Sequence, residues 1–299
     1  MFRHFSELNE AAKAGGPVRV AVAAAQDREV LTAIQGGIRA GLIEAALVGD
    51  RELIRPLVEE LGITGSVEIV HEPDLDQASL LAAGLVHAGQ AQVLMKGLVN
   101  SQGFLRGALD PVRGLRTGGL LSHLAALETP GRARLEFLTD GGMNIAPGLA
   151  EKKLILASAL AALGRLGVAA PKVAVLCANE QVSPKMPATV DAQGLVRAWE
   201  AGEFTDCLVE GPIAMDVAVS PEAARHKGIP SRISGEVDLF LVPNIEAGNL
   251  VAKTMIYYGQ ARMAGVILGA THPIVMVSRA DSAEAKLNAI AMAVLLSRS

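Results

Sequence analysis

An α/β fold built from repeated strand–helix units is what this sequence predicts, on three observations. Short β-branched runs alternate along the chain with longer Ala/Leu stretches at helical spacing. Apolar residues make up 51% of the chain and charged residues 19%, enough to fill a large core and too ordered a composition for a disordered chain. The length of 299 residues suits one large or two ordinary α/β domains.

The elements follow in order. Pro17 to Ala24 (PVRVAVAA) reads as the first buried strand, after a leader punctuated by Gly15 and Gly16, and Asp27 stands where a helix N-cap belongs. Ala45 to Val48 is a second strand ending at Gly49-Asp50, with a helix through Leu61. Val67 to Val70, Gln77 to His87 and Val93 to Met95 repeat the pattern, and a region rich in Gly and Arg runs from Gly97 to Gly119. Leu120 to Leu127 and Leu135 to Leu138 come next, the latter leading into TDGGMN, with a helix from Ala150 to Leu166. A second series holds Val173 to Cys177, Leu208 to Val209, Val237 to Val242, Val266 to Leu268 and Ile274 to Val277, closed by a helix from about Ser282 to Leu296. Loops at strand ends are where open α/β sheets place ligands, so the chemistry is sought there.

Several function classes are disfavoured. Aromatic residues are 3% of the chain, with Trp199 the single tryptophan, which leaves few stacking platforms for single-stranded nucleic acid. A net charge of -4 gives no electrostatic footprint for DNA or RNA. Mean hydropathy is positive, yet the best apolar run, Ile290 to Leu296, is far short of the roughly 18 to 20 residues a span requires. The charged, amide-rich N-terminus lacks the apolar centre of a signal peptide, and Cys177 and Cys207 make no disulfide framework, so a cytoplasmic protein is expected. No strand–helix turn carries G-x-G-x-x-G or a P-loop; Gly36, Gly37 and Gly41 fall late in a helix, where Gly41 suits its termination. The six histidines have no metal-ligand spacing, and no metal is expected; His123 stands apart only because it sits in a strand beside Ser122.

Candidate chemistry collects at the loops. In VMVSRADS a strand delivers Ser278 and Arg279 to a helix start, where unpaired N–H groups favour an anion and Arg adds a planar fork. Ser278-x-x-Asp281 and Asp281-x-x-Glu284 equally fit capping boxes. After the strand ending at Val242, Asn249 and Lys253 lie one helical turn apart and present an amide and an ammonium, although Asn249 also suits a helix cap. Lys185 sits between Pro184 and Pro187 in a polar loop, and Lys96-Gly97 and Thr139 to Asn144 each follow a strand. Together these anion-capable loops point to a site for a phosphorylated substrate.

Taken in order, LMKGLVNSQGFLRGAL, LSHLAALE, FLTDGGMNIAP, NEQVSPKMPATVDA, GPIAMDVAVSPEAARHKGI, SGEVDLFLVPNIEAGNLVAK and AGVILGATHPIVMVSRADSAEAKLNAIA resemble the phosphate acetyl/butyryl transferase family, its butyryl branch above all. The likeness runs from about Val18 to the C-terminus. It implies two α/β domains around a cleft, related to the isocitrate and isopropylmalate dehydrogenases. One domain would hold residues 1–130 plus 274–299, with the last strand and helix returning to it, and the other 131–273. It implies a reversible reaction of a short-chain acyl-CoA, butyryl-CoA first, with phosphate to give acyl phosphate and CoA, with no covalent enzyme intermediate. Coenzyme A is then a substrate, and no cofactor is needed. A homodimer or higher homo-oligomer is expected from the family, with no nucleic-acid or membrane partner. The resemblance makes Ser278 the hydrogen-bond donor to the reacting sulfur or oxyanion and Arg279 the phosphate or transition-state ligand. The acetyl branch has an aspartate seven residues beyond this serine where Ala285 stands here, which leaves Glu284, ahead of Asp281, as the base. Lys96, His123, Asn144, Lys185, Asn249 and Lys253 fall within the matched motifs as phosphate and CoA contacts, and Arg106, Arg113 and Arg116 offer a second phosphate contact. The alternatives are a phosphate acetyltransferase, a non-catalytic CoA or acyl-phosphate binding protein, and a metal- or NAD-dependent dehydrogenase of the same fold.

Overall fold

A computed structural model describes residues 1–278 and 281–298 of the chain. The chain folds into two compact units, one of His4–Gly119 with Met263–Ser299 and the other of Leu120–Arg262 with Met1–Arg3. The sequence expectation sets the divisions at 130/131 and 273/274.

The first unit opens with helix α1 (Phe5–Ala14), in the leader, where the sequence pattern predicts no element. Strand β1 (Val18–Ala23), helix α2 (Arg28–Arg39), strand β2 (Ile43–Gly49), helix α3 (Arg51–Glu60) and strand β3 (Val67–His71) follow. Helix α4 (Leu75–His87), strand β4 (Val93–Lys96) and helix α5 (Ser101–Ala108) complete the first pass. Val20 to Ala25 have no exposed surface, as expected of a Val/Ala strand covered on both faces. Asp27 caps α2 by accepting from the Val30 N–H at 2.8 Å, and Gly41, at φ +72°, turns the chain beyond that helix.

The second unit begins with strand β5 (Ser122–Glu128), which pairs antiparallel with strand β6 (Glu136–Thr139). Helix α6 (Leu149–Arg165), strand β7 (Lys172–Leu176), helix α7 (Pro187–Glu200), strand β8 (Leu208–Ile213), the short helices α8 (Met215–Val219) and α9 (Pro221–Lys227), strand β9 (Leu239–Leu241) and helix α10 (Ile245–Tyr257) follow. Its strand order is β5-β6-β9-β7-β8, with β6, β9, β7 and β8 parallel, so the loops after these four leave the same edge.

The chain then enters strand β10 (Arg262–Leu268), strand β11 (Ile274–Val275) and helix α11 (Ala283–Leu296). Within the first unit the order is β3-β2-β1-β4-β11-β10, all parallel except β10 against β11. The strand expected over Ile274 to Val277 is shorter and ends at Val275, where its pairing stops: Ile274 and Val275 pair with Leu94 and Met95 of β4, and Ile274 also with Ile267 of β10. Helix α11 packs against α1 and α2, and Ala289 to Val294 are fully buried. Burying its Ile, Met and Val side chains contributes about 2 kcal/mol each, which explains why the most apolar run of the chain is a core helix. No helix among the described residues is long and apolar enough to cross a membrane.

Candidate active site

In the first unit, the parallel register sets β11 beside β4, with Ile274 opposite Leu94 and Val275 opposite Met95. Lys96 ends β4 and is 6% exposed, and the residues after β11 leave the same edge. Gly97 continues the ladder by donating to the Ala23 carbonyl, so close to β1 that a Cβ would stand 2.2 Å from the Ala24 carbonyl oxygen. Only glycine fits there, and the close approach fixes the Lys96-Gly97 corner.

Ser278 is exposed beyond β11, and its N–H donates to Asp281 Oδ2 at 2.8 Å. That bond is one half of the expected Ser278-x-x-Asp281 box, yet neither Ser278 nor Asp281 is the N-cap of α11. The cap of α11 is Ser282, whose Oγ accepts from the Ala285 N–H at 3.2 Å. Glu284 is exposed in the first helical turn. The carbonyl of Asp281 accepts from the ammonium of Lys286, which is 3% exposed. Arg279 lies outside the described residues. Of the central arginines, Arg106 pairs with Asp76 at 3.0 Å, and Arg113 and Arg116 are exposed.

In the second unit, the residues TDGGMN form a tight structure around one buried side chain. Asp140 is 3% exposed. Its Oδ1 accepts from the N–H groups of Gly142 and Met143, each at 2.9 Å. Its Oδ2 accepts from the Asn144 N–H at 3.2 Å and from Asn144 Nδ2 at 2.6 Å. Nδ2 also donates to the Leu121 carbonyl at 2.8 Å, which ties the loop to the start of β5. Thr139 Oγ1 donates to the His123 carbonyl at 2.9 Å, and a Cβ on Gly142 would meet the His123 ring at 3.1 Å. Gly141 lies on the first turn of α10, where a Cβ on Gly248 would stand 2.6 Å from the Gly141 Cα.

This arrangement corrects one expectation. The TDGGMN loop is not free to cradle an anion, because the backbone N–H groups of Gly142, Met143 and Asn144 already meet the Asp140 carboxylate. Both N–H bonds of the Asn144 amide are likewise engaged, so that side chain has no donor left for phosphate. The central part of Asp140 is absent from the sequence expectation, although an aspartate followed by residues whose N–H groups can turn back on it is the signature of an Asx turn.

Helix α10 is capped by Asn244, which accepts from the Ala247 N–H at 2.9 Å, and not by Asn249. Asn249 is exposed and Lys253 half-buried one turn on, so both are available to a ligand. Lys185 is exposed in the loop after β7. Thr189, fully buried, holds that loop by accepting from the Ser183 N–H at 2.9 Å and donating to the Met186 carbonyl at 2.8 Å. The structure thus brings His123, Asn144 and the first turn of α10 together and leaves Lys185 on a separate loop of the same edge.

At the end of β7, burial pushes the Cys177 thiol up to about 11, even with the nearby Lys152 ammonium acting the other way. Lys152 is 3% exposed and pairs with Asp191 at 2.7 Å. A thiol held neutral in this way is a poor nucleophile.

Comparisons with known proteins bear on this geometry. The family model described as "Phosphate acetyl/butaryl transferase" matches residues 51–294. A phosphate butyryltransferase of Clostridium acetobutylicum is 42% identical over 297 residues, covering 99% of each chain. A phosphate acetyltransferase of Rhizobium meliloti is 37% identical over 295 residues, covering 97% of this chain and 92% of its own. Among solved structures, a branched-chain phosphotransacylase from Enterococcus faecalis superposes with a TM-score of 0.83 at 29% identity, covering 94% of this chain and 99% of that one.

Proposed function

The chain belongs to the phosphate acetyl/butyryl transferase family, and from that premise we propose that it moves a short acyl group, butyryl first, between coenzyme A and inorganic phosphate. A phosphate oxygen attacks the thioester carbonyl carbon, and a tetrahedral oxyanion forms. The carbon–sulfur bond then breaks, leaving acyl phosphate and a CoA thiolate that takes up a proton. The protein must hold phosphate, orient the sulfur and meet the oxyanion with donors already in place.

The observation that carries this reading is the parallel register of β11 on β4, which delivers Ser278 and Lys96 to one sheet edge of the first unit. In the proposed roles, Ser278 donates to the sulfur or oxyanion, Arg279 binds phosphate, and Lys96 adds positive charge. Glu284, exposed and six residues beyond Ser278, is the proposed base. In the reverse direction the thiolate is the attacking group, so no enzyme nucleophile is required, in keeping with the raised pKa of Cys177. Coenzyme A enters as substrate, and the reaction as written needs no resident cofactor.

Return of the final strand and helix to the unit of β1 to β4 supports the further proposal of an isocitrate/isopropylmalate dehydrogenase-like organisation. A cytoplasmic homodimer completes the reading. Its support is the apolar surface on and just beyond α10, where Leu250 is 68%, Tyr257 65% and Tyr258 88% exposed.

The test follows free thiol released from butyryl-CoA with and without phosphate. Release should require phosphate, fall by about 10²- to 10³-fold in Arg279→Ala, and persist in Cys177→Ala. Phosphate-independent release, or loss in the cysteine variant, would reject the reading. Acetyl-CoA in the same assay reports chain-length preference.

A further inference from the structure

Three lysines are buried among the described residues, Lys96, Lys152 and Lys286. Lys152 is answered by the Asp191 carboxylate at 2.7 Å, and Lys96 stands at the strand end that the proposed reaction uses. Lys286 has neither explanation. It is 3% exposed on α11, the helix whose residues Ala289 to Val294 are fully buried. Taking an ammonium out of water is costly unless a carboxylate compensates it, and an apolar side chain of similar size is often at least as stable in such a place. Among the described residues Lys286 has no carboxylate partner; its ammonium donates to the backbone carbonyl of Asp281. The stability of α11 therefore does not account for the lysine.

What the ammonium reaches leads directly to the proposed catalytic serine. Asp281 is joined to Ser278 by two hydrogen bonds. Its carboxylate accepts from the Ser278 N–H at 2.8 Å, and its own N–H donates to the Ser278 carbonyl at 3.1 Å. Sheet pairing does not reach this far, since β11 ends at Val275. The helix at the other end of the connection is fixed by its packing on α1 and α2. All of these residues belong to the unit of His4–Gly119 with Met263–Ser299. A donor that must meet developing charge has to be held within about 0.5 Å of its working position. Taking acyl transfer with Ser278 as donor as the premise, we infer that Lys286 is a positioning residue. Its ammonium, rooted in a core helix, holds Asp281 and through Asp281 the backbone of Ser278. It touches no reacting atom, and its effect on the reaction runs through the serine.

The experiment is a double-mutant cycle on phosphate-dependent thiol release from butyryl-CoA. Lys286→Met keeps an unbranched apolar stem and removes the donor. Alone it should lower kcat by about 10- to 100-fold, the scale of a hydrogen bond made by a charged group, with KM for phosphate and for butyryl-CoA within about two-fold of wild type. Added to Ser278→Ala it should change kcat by less than about two-fold, because the group it positions is gone. A merely structural role would carry the same loss into the Ser278→Ala enzyme, and that result overturns the inference. So does an unchanged kcat in the single variant, or a rise in phosphate KM with kcat unmoved. Should Lys286→Met fail to fold, Asp281→Ala breaks the same connection at its middle. Wild-type kcat there, or a loss that persists in full beside Ser278→Ala, overturns the inference without a lysine variant. Wild type lacking phosphate-dependent release instead removes the acyl-transfer premise, and Ser278→Ala at the wild-type rate removes the role of the serine. Both are read from enzymes that still carry Lys286, so neither is mistaken for failure of the inference.

Discussion

The loop after β6 and the segment after β11 both follow strands at a sheet edge, but they treat their polar groups in opposite ways. Asp140 is buried and gathers four N–H donors from the residues just beyond it. Ser278 is exposed, and Asp281 takes its backbone N–H, three residues on. The first loop is an internally satisfied structure. The second leaves its serine exposed and binds a carboxylate only through that serine's backbone N–H among the bonds described. Counting glycines and polar residues does not separate the two; following each donor to its acceptor does.

The contrast can be tested by substitution. Ser278→Ala should lower phosphate-dependent thiol release by about 10²- to 10³-fold, roughly 3–4 kcal/mol of barrier, with an unchanged melting temperature. A loss of stability of similar size would show that Ser278 belongs with the structural loop. Asp140→Ala leaves four N–H donors without their acceptor and should cost about 3 kcal/mol of stability, read from the denaturant midpoint. A variant as stable as wild type would mean that water replaces the carboxylate freely and the loop is not self-contained. Gly248→Ala drives a methyl into the Gly141 backbone and should cost about 1–3 kcal/mol by the same measurement.

The smallest effect concerns the loop after β7. The Cys177 thiol is raised in the fold from 9.0 to about 11, so the folded chain holds its proton more tightly than the unfolded chain. This contribution to stability is fully present below 9.0 and is lost as pH rises through about 11. Wild type should therefore lose stability slightly more steeply than Cys177→Ala in that window, and parallel curves would show the site to be wetter than its burial suggests.

Much of the architecture was legible in residue order. Alternating β-branched and Ala-rich runs marked the strands and long helices, and Asp27 and Gly41 marked the start and end of α2, because these signals are local. The choice among neighbouring candidates was not legible. Ser278, Asp281 and Ser282 are all able to cap a helix, and Ser282 does so, while β11, paired with β4 and at Ile274 with β10, ends at Val275 and Asp281 takes the Ser278 N–H. Asn244 rather than Asn249 caps α10, since the chain leaves β9 at Leu241. The leader escaped notice as a helix because α1 is held by packing against α11, far along the chain.

Family, strand order of appearance and the strand-end loops worth searching were therefore set by the sequence alone, since each depends on residue type and short-range spacing. Which groups in those loops are available to a substrate was decided by tertiary structure. Asn144 reads as a donor in one dimension, and has none left to give once Leu121 and Asp140 close on its N–H bonds. A hydrogen bond uses up a donor wherever its partner comes from, and Leu121, just ahead of the neighbouring strand, reaches Asn144 only through the fold.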